Sequence, residues 1–167
     1  MEYIKNNLLS DEKLVYCVEP HWIVFSNGAW LILLGFVVLF SHVDALSMEV
    51  LDGFTLRYIG FLLCFVVGFY WLIQAYIYFT TSEYGITNKR VVIKTGWIER
   101  NSLELLLDKV EGVLVDQSLL GRLLNYGTIT VIGTGGTKDS FPFIPDPLLF
   151  RKTTQEQIEL FEAKSRQ

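Results

Sequence analysis

Two long stretches of the chain contain almost no polar residue, and the remainder alternates apolar and polar positions in short segments. The first stretch runs from Trp22 to Phe40 and carries no charge. The second runs from Tyr58 to Phe79, is also uncharged, and has Gln74 as its only amide. As helices rising about 1.5 Å per residue they would measure roughly 28 and 33 Å, against a hydrocarbon core of about 30 Å. Lipid offers the backbone no hydrogen-bond partners, so a span closes its own bonds as helix. Helices in a soluble core rarely stay apolar on every face for so long. The pattern therefore predicts transmembrane helices over 22–40 and 58–79, joined by a loop over 41–57. A segment of residues 1–21 precedes them, and a separate domain over 80–163 follows.

From Thr80 onward the segments shorten and turn signals separate them. Ser82 to Thr87 and Arg90 to Lys94 flank Asn88-Lys89, and Asn tolerates the left-handed backbone of a tight hairpin. Val91-Val92-Ile93 is a β-branched run suited to a buried strand. Trp97 to Leu106 and Val110 to Gln117 read as further strands, with Val113 and Val115 on one face. In the next, Ile129 and Val131 oppose Thr128, Thr130 and Ile132. Gly133-Thr134-Gly135-Gly136 reads as the loop to a partner strand over Asp139 to Ile144. Asp146 and Pro147 suit the start of a helix, and Phe150, Thr154, Ile158 and Phe161 recur at helical spacing as one apolar stripe. The expectation is six or seven antiparallel strands closed by one amphipathic helix. Leu14 to Val18 has the pattern of a further strand.

Charge orients the hairpin. Lys5, Lys13, Lys89, Arg90 and Lys94 lie near one pair of span ends, whereas the loop holds Arg57 as its one cation beside Asp44, Glu49 and Asp52. The positive-inside rule then places both termini in the cytoplasm and the loop outside. Trp22, Tyr58, Tyr76 and Tyr78 fall near the expected interfaces. A basic n-region is missing before Trp22, so the first stretch reads as an anchor and not a signal peptide, despite the small residues of Ala45-Leu46-Ser47. The net charge of −4 provides no basic field for nucleic acid. Within the spans, Gly28 and Gly35 share a face, as do Gly60 and Gly68, which marks a helix-packing face: the hairpin against itself, or one protomer against another. Ser26, Asn27 and Gln74 suggest an interhelical hydrogen bond sooner than a permeation path.

An ordered set of motifs runs through the second half. It comprises Glu83-Tyr84-Gly85-Ile86-Thr87-Asn88-Lys89-Arg90-Val91, Gly96, and Asp108-Lys109-Val110-Glu111. It continues through Gln117-Ser118-Leu119-Leu120-Gly121-Arg122-Leu123-Leu124-Asn125-Tyr126-Gly127-Thr128 to Ile144-Pro145-Asp146-Pro147. This set resembles the bacterial pleckstrin-homology-like membrane proteins, with the type-two bacterial PH domain, over Thr80 to Phe161; the preceding helix pair looks like theirs too. The resemblance implies an α+β membrane protein: a two-helix transmembrane hairpin, then a PH-like antiparallel β-sandwich with a C-terminal α-helix. It also implies a place at the inner (plasma) membrane of a bacterium, and self-association or a partner membrane protein. Much of the motif has a structural reading: Asn88-Lys89 as a turn, the glycines as backbone permits, and Leu119, Leu120, Leu123 and Leu124 as core anchors around a short helix.

Candidate chemistry is sparse. The glycine cluster lacks the ending of a phosphate loop. Glu83, Glu99, Glu104, Asp108, Glu111 and Asp116 are scattered, and Glu99 and Glu104 have opposite strand parity. The domain has no His for Ser-His or Cys-His catalysis. Cys17 and Cys64 make no disulfide framework, and His21 and His42 flank opposite ends of a span. No enzyme, cofactor or metal is expected. Lys89, Arg90 and Lys94 are candidate contacts for an anionic leaflet, at about 1 kcal/mol each, or else topology determinants and solvated strand residues. The functional expectation is a membrane-anchored interaction or scaffold module; the alternative is lipid sensing or small-solute transport through the helices.

Overall fold

The structure, a computed structural model, describes residues 3–41, 49–51, 54–96 and 101–165. The chain divides into two compact units, Met1–His21 with Tyr78–Gln167, and Trp22–Ile77. In chain order the elements are α1 (Tyr3–Asn6), β1 (Leu14–Val18), a 3₁₀ turn at Trp22–Phe25, α2 (Ser26–Phe40), β2 (Glu49–Leu51), β3 (Phe54–Thr55) and α3 (Leu56–Thr81). Then follow β4 (Glu83–Thr87), β5 (Arg90–Thr95), β6 (Asn101–Leu106), a 3₁₀ turn at Leu107–Lys109, β7 (Val110–Asp116), α4 (Leu119–Leu124), β8 (Tyr126–Gly133), β9 (Lys138–Pro145) and α5 (Pro147–Ser165).

The first unit is an antiparallel β-sandwich with a C-terminal helix, the arrangement the resemblance implied. A four-stranded antiparallel sheet, β1-β4-β5-β6, and a three-stranded one, β7-β8-β9, supply the strands. Alternation along β8 buries Gly127, Ile129, Val131 and Gly133 in turn, as a strand with one core face requires. Ile129 and Val131 join Tyr84, Ile86, Val91, Ile93, Val113, Ile144 and Phe150 in the core. The helical stripe behaves as its spacing predicts: Phe150 and Thr154 are fully buried, and Ile158 and Phe161 pack against the core. Gly135 and Gly136 take positive φ in the β8–β9 loop, where only glycine adopts such angles readily.

The domain boundary differs from the sequence reading. Residues 1–21 read as a segment apart from 80–163, yet β1 is an edge strand of the sandwich, paired with β4 from Val18↔Tyr84 to Leu14↔Thr87. Ile4 of α1 is also buried in this unit. The two apolar helices are thus an insertion between neighbouring strands. The domain also extends past 163, because α5 continues to Ser165. Trp97, Glu99, His42, Asp44, Asp52 and Ala45-Leu46-Ser47 lie outside the described residues.

In the second unit, helical structure covers Trp22–Phe40 and Leu56–Thr81, the latter's last turn belonging to the first unit. The loop reading over 41–57 is revised at its end, where β2 and β3 pair and α3 has already begun at Leu56. The glycines that share faces meet the partner helix. A Cβ on Gly28 would lie 2.7 Å from Leu72 Cγ and 2.8 Å from the Gly68 carbonyl; one on Gly68 would lie 2.7 Å from Ile32 Cγ1. Gly35 faces Cys64, and Gly60 faces Val38 more loosely. Within the chain these glycines face the other helix of the pair, and at Gly28 and Gly68 only a missing side chain allows backbones this close. Asn27 and Gln74 are exposed on the outer surface and do not enter this seam.

Candidate functional site

The motif that begins at Glu83 serves the N-terminal segment. Glu83 is buried, and its two carboxylate oxygens accept the backbone N–H groups of Tyr3 (3.2 Å) and Ile4 (3.1 Å) at the start of α1. At Gly85 a Cβ would come within 2.7 Å of Ile4 Cδ1, so the glycine leaves room for that anchor. Asn88 accepts from the Lys13 N–H at 2.8 Å and returns its own N–H to the Lys13 carbonyl at 3.1 Å. This places Asn88 as a docking residue as well as a turn residue.

The three basic residues are occupied in the same way. Lys89 Nζ donates to the Ser10 carbonyl at 2.9 Å, and Lys94 Nζ sits 4.1 Å from the centroid of the Tyr3 ring, a cation–π distance. Arg90 forks onto Glu12, Nε to Oε1 at 2.9 Å and Nη2 to Oε2 at 3.0 Å. Its remaining donors reach the Asn7 carbonyl and Glu104. Glu12 has a fully buried side chain, and it also accepts from the Thr87 hydroxyl (2.7 Å) and the Leu9 N–H (2.7 Å). Burial alone would raise its pKa, but these donors and the guanidinium charge hold it below the usual carboxylate value. Glu83 is likewise lowered, burial being outweighed by the Ile4 and Tyr3 N–H groups. In this structure the Arg90 guanidinium is a largely buried clamp whose donors are spent on protein acceptors. Sequence reasoning missed this because Glu12 lies 78 positions away.

The second motif builds a different surface. Ser118 caps α4 by accepting the Gly121 N–H at 3.1 Å, and Asn125 closes it in the left-handed conformation, φ 58. Gln117 Nε2 donates to the Tyr126 carbonyl at 3.1 Å, and the Asn125 amide donates to the Asp146 carboxylate. Gly121 faces inward, where a Cβ would meet the Tyr126 carbonyl at 2.6 Å. The leucines consequently point away. Leu119, Leu120 and Leu123 are 84%, 63% and 79% exposed, and Leu148 and Leu149 at the start of α5 are exposed too. The reading of Leu119, Leu120 and Leu123 as core anchors is overturned; Leu124 alone is half-buried. A recess of about 420 Å³ beside them is lined by Arg122, Arg151 and Leu148 among others.

A recess of about 640 Å³ opens between β6 and β9, lined by Thr95, Ser102, Leu103, Asp139 and Ser140 among others. Among the described residues no three His, Cys, Asp or Glu side chains cluster as metal ligands. Cys17 and Cys64 are both free thiols, and burial, first among several causes, raises the Cys17 pKa.

Comparison with known proteins adds a family. The family model described as "Bacterial PH domain" matches residues 23–158. No curated protein matches. Among solved structures, the chain is similar to a "Vps36 N-terminal PH domain" (13% identity, 93% of this chain and 86% of that one, TM-score 0.47). It is also similar to a DUF1696-family protein with a pleckstrin-homology domain from Shewanella loihica (15% identity, 48% and 69% covered, TM-score 0.34).

Proposed function

The chain belongs to the bacterial PH domain family, and from that premise we propose a membrane-anchored interaction module. In this reading a PH-like sandwich is held at the cytoplasmic face of a bacterial membrane by a two-helix hairpin, where it docks a partner protein or a second copy of itself. The observation that carries the reading is the exposure of the apolar helices. Only 11% and 6% of their most apolar windows are buried, whereas a soluble protein's core helix would be mostly covered. Trp30, Leu33, Val37, Leu62, Leu63 and Val66 all face outward, and lipid is the solvent that accepts such a surface.

The insertion point supports anchoring. Val18 and Tyr84, at the two ends of the inserted segment, are paired residues of one sheet, so the chain leaves and rejoins the sandwich at one place. An even number of spans then returns it to the side it left, which accords with the charge bias. The closed seam at Gly28, Leu72, Gly68 and Ile32 favours an anchor over a permeation path. A cysteine-accessibility map in intact cells tests the topology. Ala45→Cys should react with an impermeant maleimide from outside and Lys138→Cys only after lysis; the reverse pattern, or equal labelling, rejects the reading. Native mass measurement in nanodiscs tests docking, and a strict monomer with nothing co-purifying counts against it.

A further inference from the structure

The short helix α4 places three exposed leucines next to the points where the sandwich hands the chain to the apolar hairpin. His21 and Tyr78 are the last residues of the sandwich unit on either side of the segment Trp22–Ile77. Both meet Phe143. The His21 N–H donates to the Phe143 carbonyl at 2.6 Å, and the Tyr78 ring packs edge-on against the Phe143 ring at 6.4 Å. The His21 ring also stacks on Tyr126 at 5.3 Å. Tyr126 lies two residues beyond the end of α4, and its carbonyl is the surface on which Gly121 of α4 rests. The leucine face and both chain crossings therefore share one end of the sandwich. The Gly135-Gly136 loop lies at the other end of the β8–β9 pair, because Tyr126 pairs with Pro145 and Ile132 with Lys138.

We propose that α4 is a second membrane contact, seating Leu119, Leu120 and Leu123 in the interfacial layer of the bilayer that the hairpin crosses. The inference rests on the anchoring proposed above and adds a lipid contact made by the sandwich itself. Contiguous apolar side chains of this exposure mark an interaction surface, and their closeness to the crossings makes lipid the occupant. Arg122 on α4 and Arg151 on α5 line the adjoining recess, where phosphate headgroups would meet them. The caps at Ser118 and Asn125 hold the helix formed before contact, so little ordering remains to be done on docking.

The test uses the full chain in nanodiscs of zwitterionic and anionic phospholipid, with Cys17→Ser and Cys64→Ala as background. A fluorophore is placed in turn at Leu123→Cys, at Leu63→Cys on the exposed face of α3, and at Lys138→Cys. Lipid-borne nitroxides and aqueous iodide serve as quenchers. The expected result is strong lipid quenching and iodide protection at 63, a probe at 123 lying about 5–10 Å below the headgroup boundary, and iodide quenching alone at 138. If 63 is lipid-quenched while 123 answers only to iodide, the α4 proposal is overturned and the hairpin stands. If 63 is not lipid-quenched, the hairpin reading falls and this inference falls with it. If 123 is protected from both quenchers, protein covers the leucines, and lipid is the wrong occupant.

Discussion

Replacing Arg90 with methionine removes the cation that neutralises a carboxylate with no exposed side-chain surface. Two scales compete for the size of the effect. An exposed ion pair is worth about 0–1 kcal/mol, whereas removing one partner of a buried pair is destabilising by about 3–5 kcal/mol. The Arg90 side chain is 11% exposed and the Glu12 side chain 0%, so the buried scale applies. Thr87 and Leu9 still donate to Glu12 in the variant, which argues for the lower half of that range. The loss falls on the docking of residues 3–18. Hydrogen exchange of the full chain in nanodiscs should therefore report it at β1, whose opening would become easier by about two to three powers of ten at 1.4 kcal/mol per factor of ten. Glu104→Gln is the internal control, because that carboxylate is 40% exposed and its loss should change exchange by less than about tenfold. The double variant Glu12→Gln/Arg90→Met should recover much of the loss, since no charge is then left buried. Exchange at Leu14–Val18 no faster in Arg90→Met than in Glu104→Gln would refute the clamp.

Three further outcomes follow from the same geometry. Glu12 and Glu83 both titrate below the usual carboxylate value, so the unfolded chain binds more protons in acid. Their stabilisation is complete above about pH 4.3 and is lost as pH falls through the lower folded values; Glu12→Gln should flatten the decline in melting temperature from pH 6 to 3. Gly28→Leu should force α2 and α3 apart, weakening hairpin packing by about 1–3 kcal/mol and reducing disulfide cross-linking between cysteines placed across the seam. Gly60→Ala, which meets only Val38 Cγ1 at 3.3 Å, should leave cross-linking intact. Gly121→Ala should lower thermal stability by about 1–3 kcal/mol, because the clash is with backbone, while Gly112→Ala, with nothing within 4 Å, should be neutral on the same melting curve.

What could be read from the sequence was local. The β8 alternation, the Asn88-Lys89 turn and the Phe150-Thr154-Ile158-Phe161 stripe each repeat within a few residues, and each appears in the structure where its period puts it. The apolar helices were equally plain, since length and composition alone define them. What stayed hidden depends on pairing across the hairpin. Alternation marks Leu14 to Val18 as strand-like but cannot show that its neighbour is β4, and nothing near Ile4 announces that Gly85 will receive it. Arg90, Lys89 and Lys94 look like solvated cations until the N-terminal carbonyls, Glu12 and Tyr3 are laid beside them. The leucines of α4 mislead for another reason. Apolar residues mean core in a domain surrounded by water, and that inference weakens once a bilayer is proposed nearby.

Pairing β1 with β4 sets an order of events during synthesis. The first strand leaves the ribosome with no neighbour, and its partner follows only after the entire apolar segment has been made. At about 5–20 residues per second, that wait is on the order of several seconds. Glu12 spends it as an ordinary solvated carboxylate and becomes buried only when Thr87 and Arg90 emerge. Synthesis of both apolar helices thus precedes closure of the sandwich, and a ribosome stalled within α3 would display β1 before β4 exists for it to join.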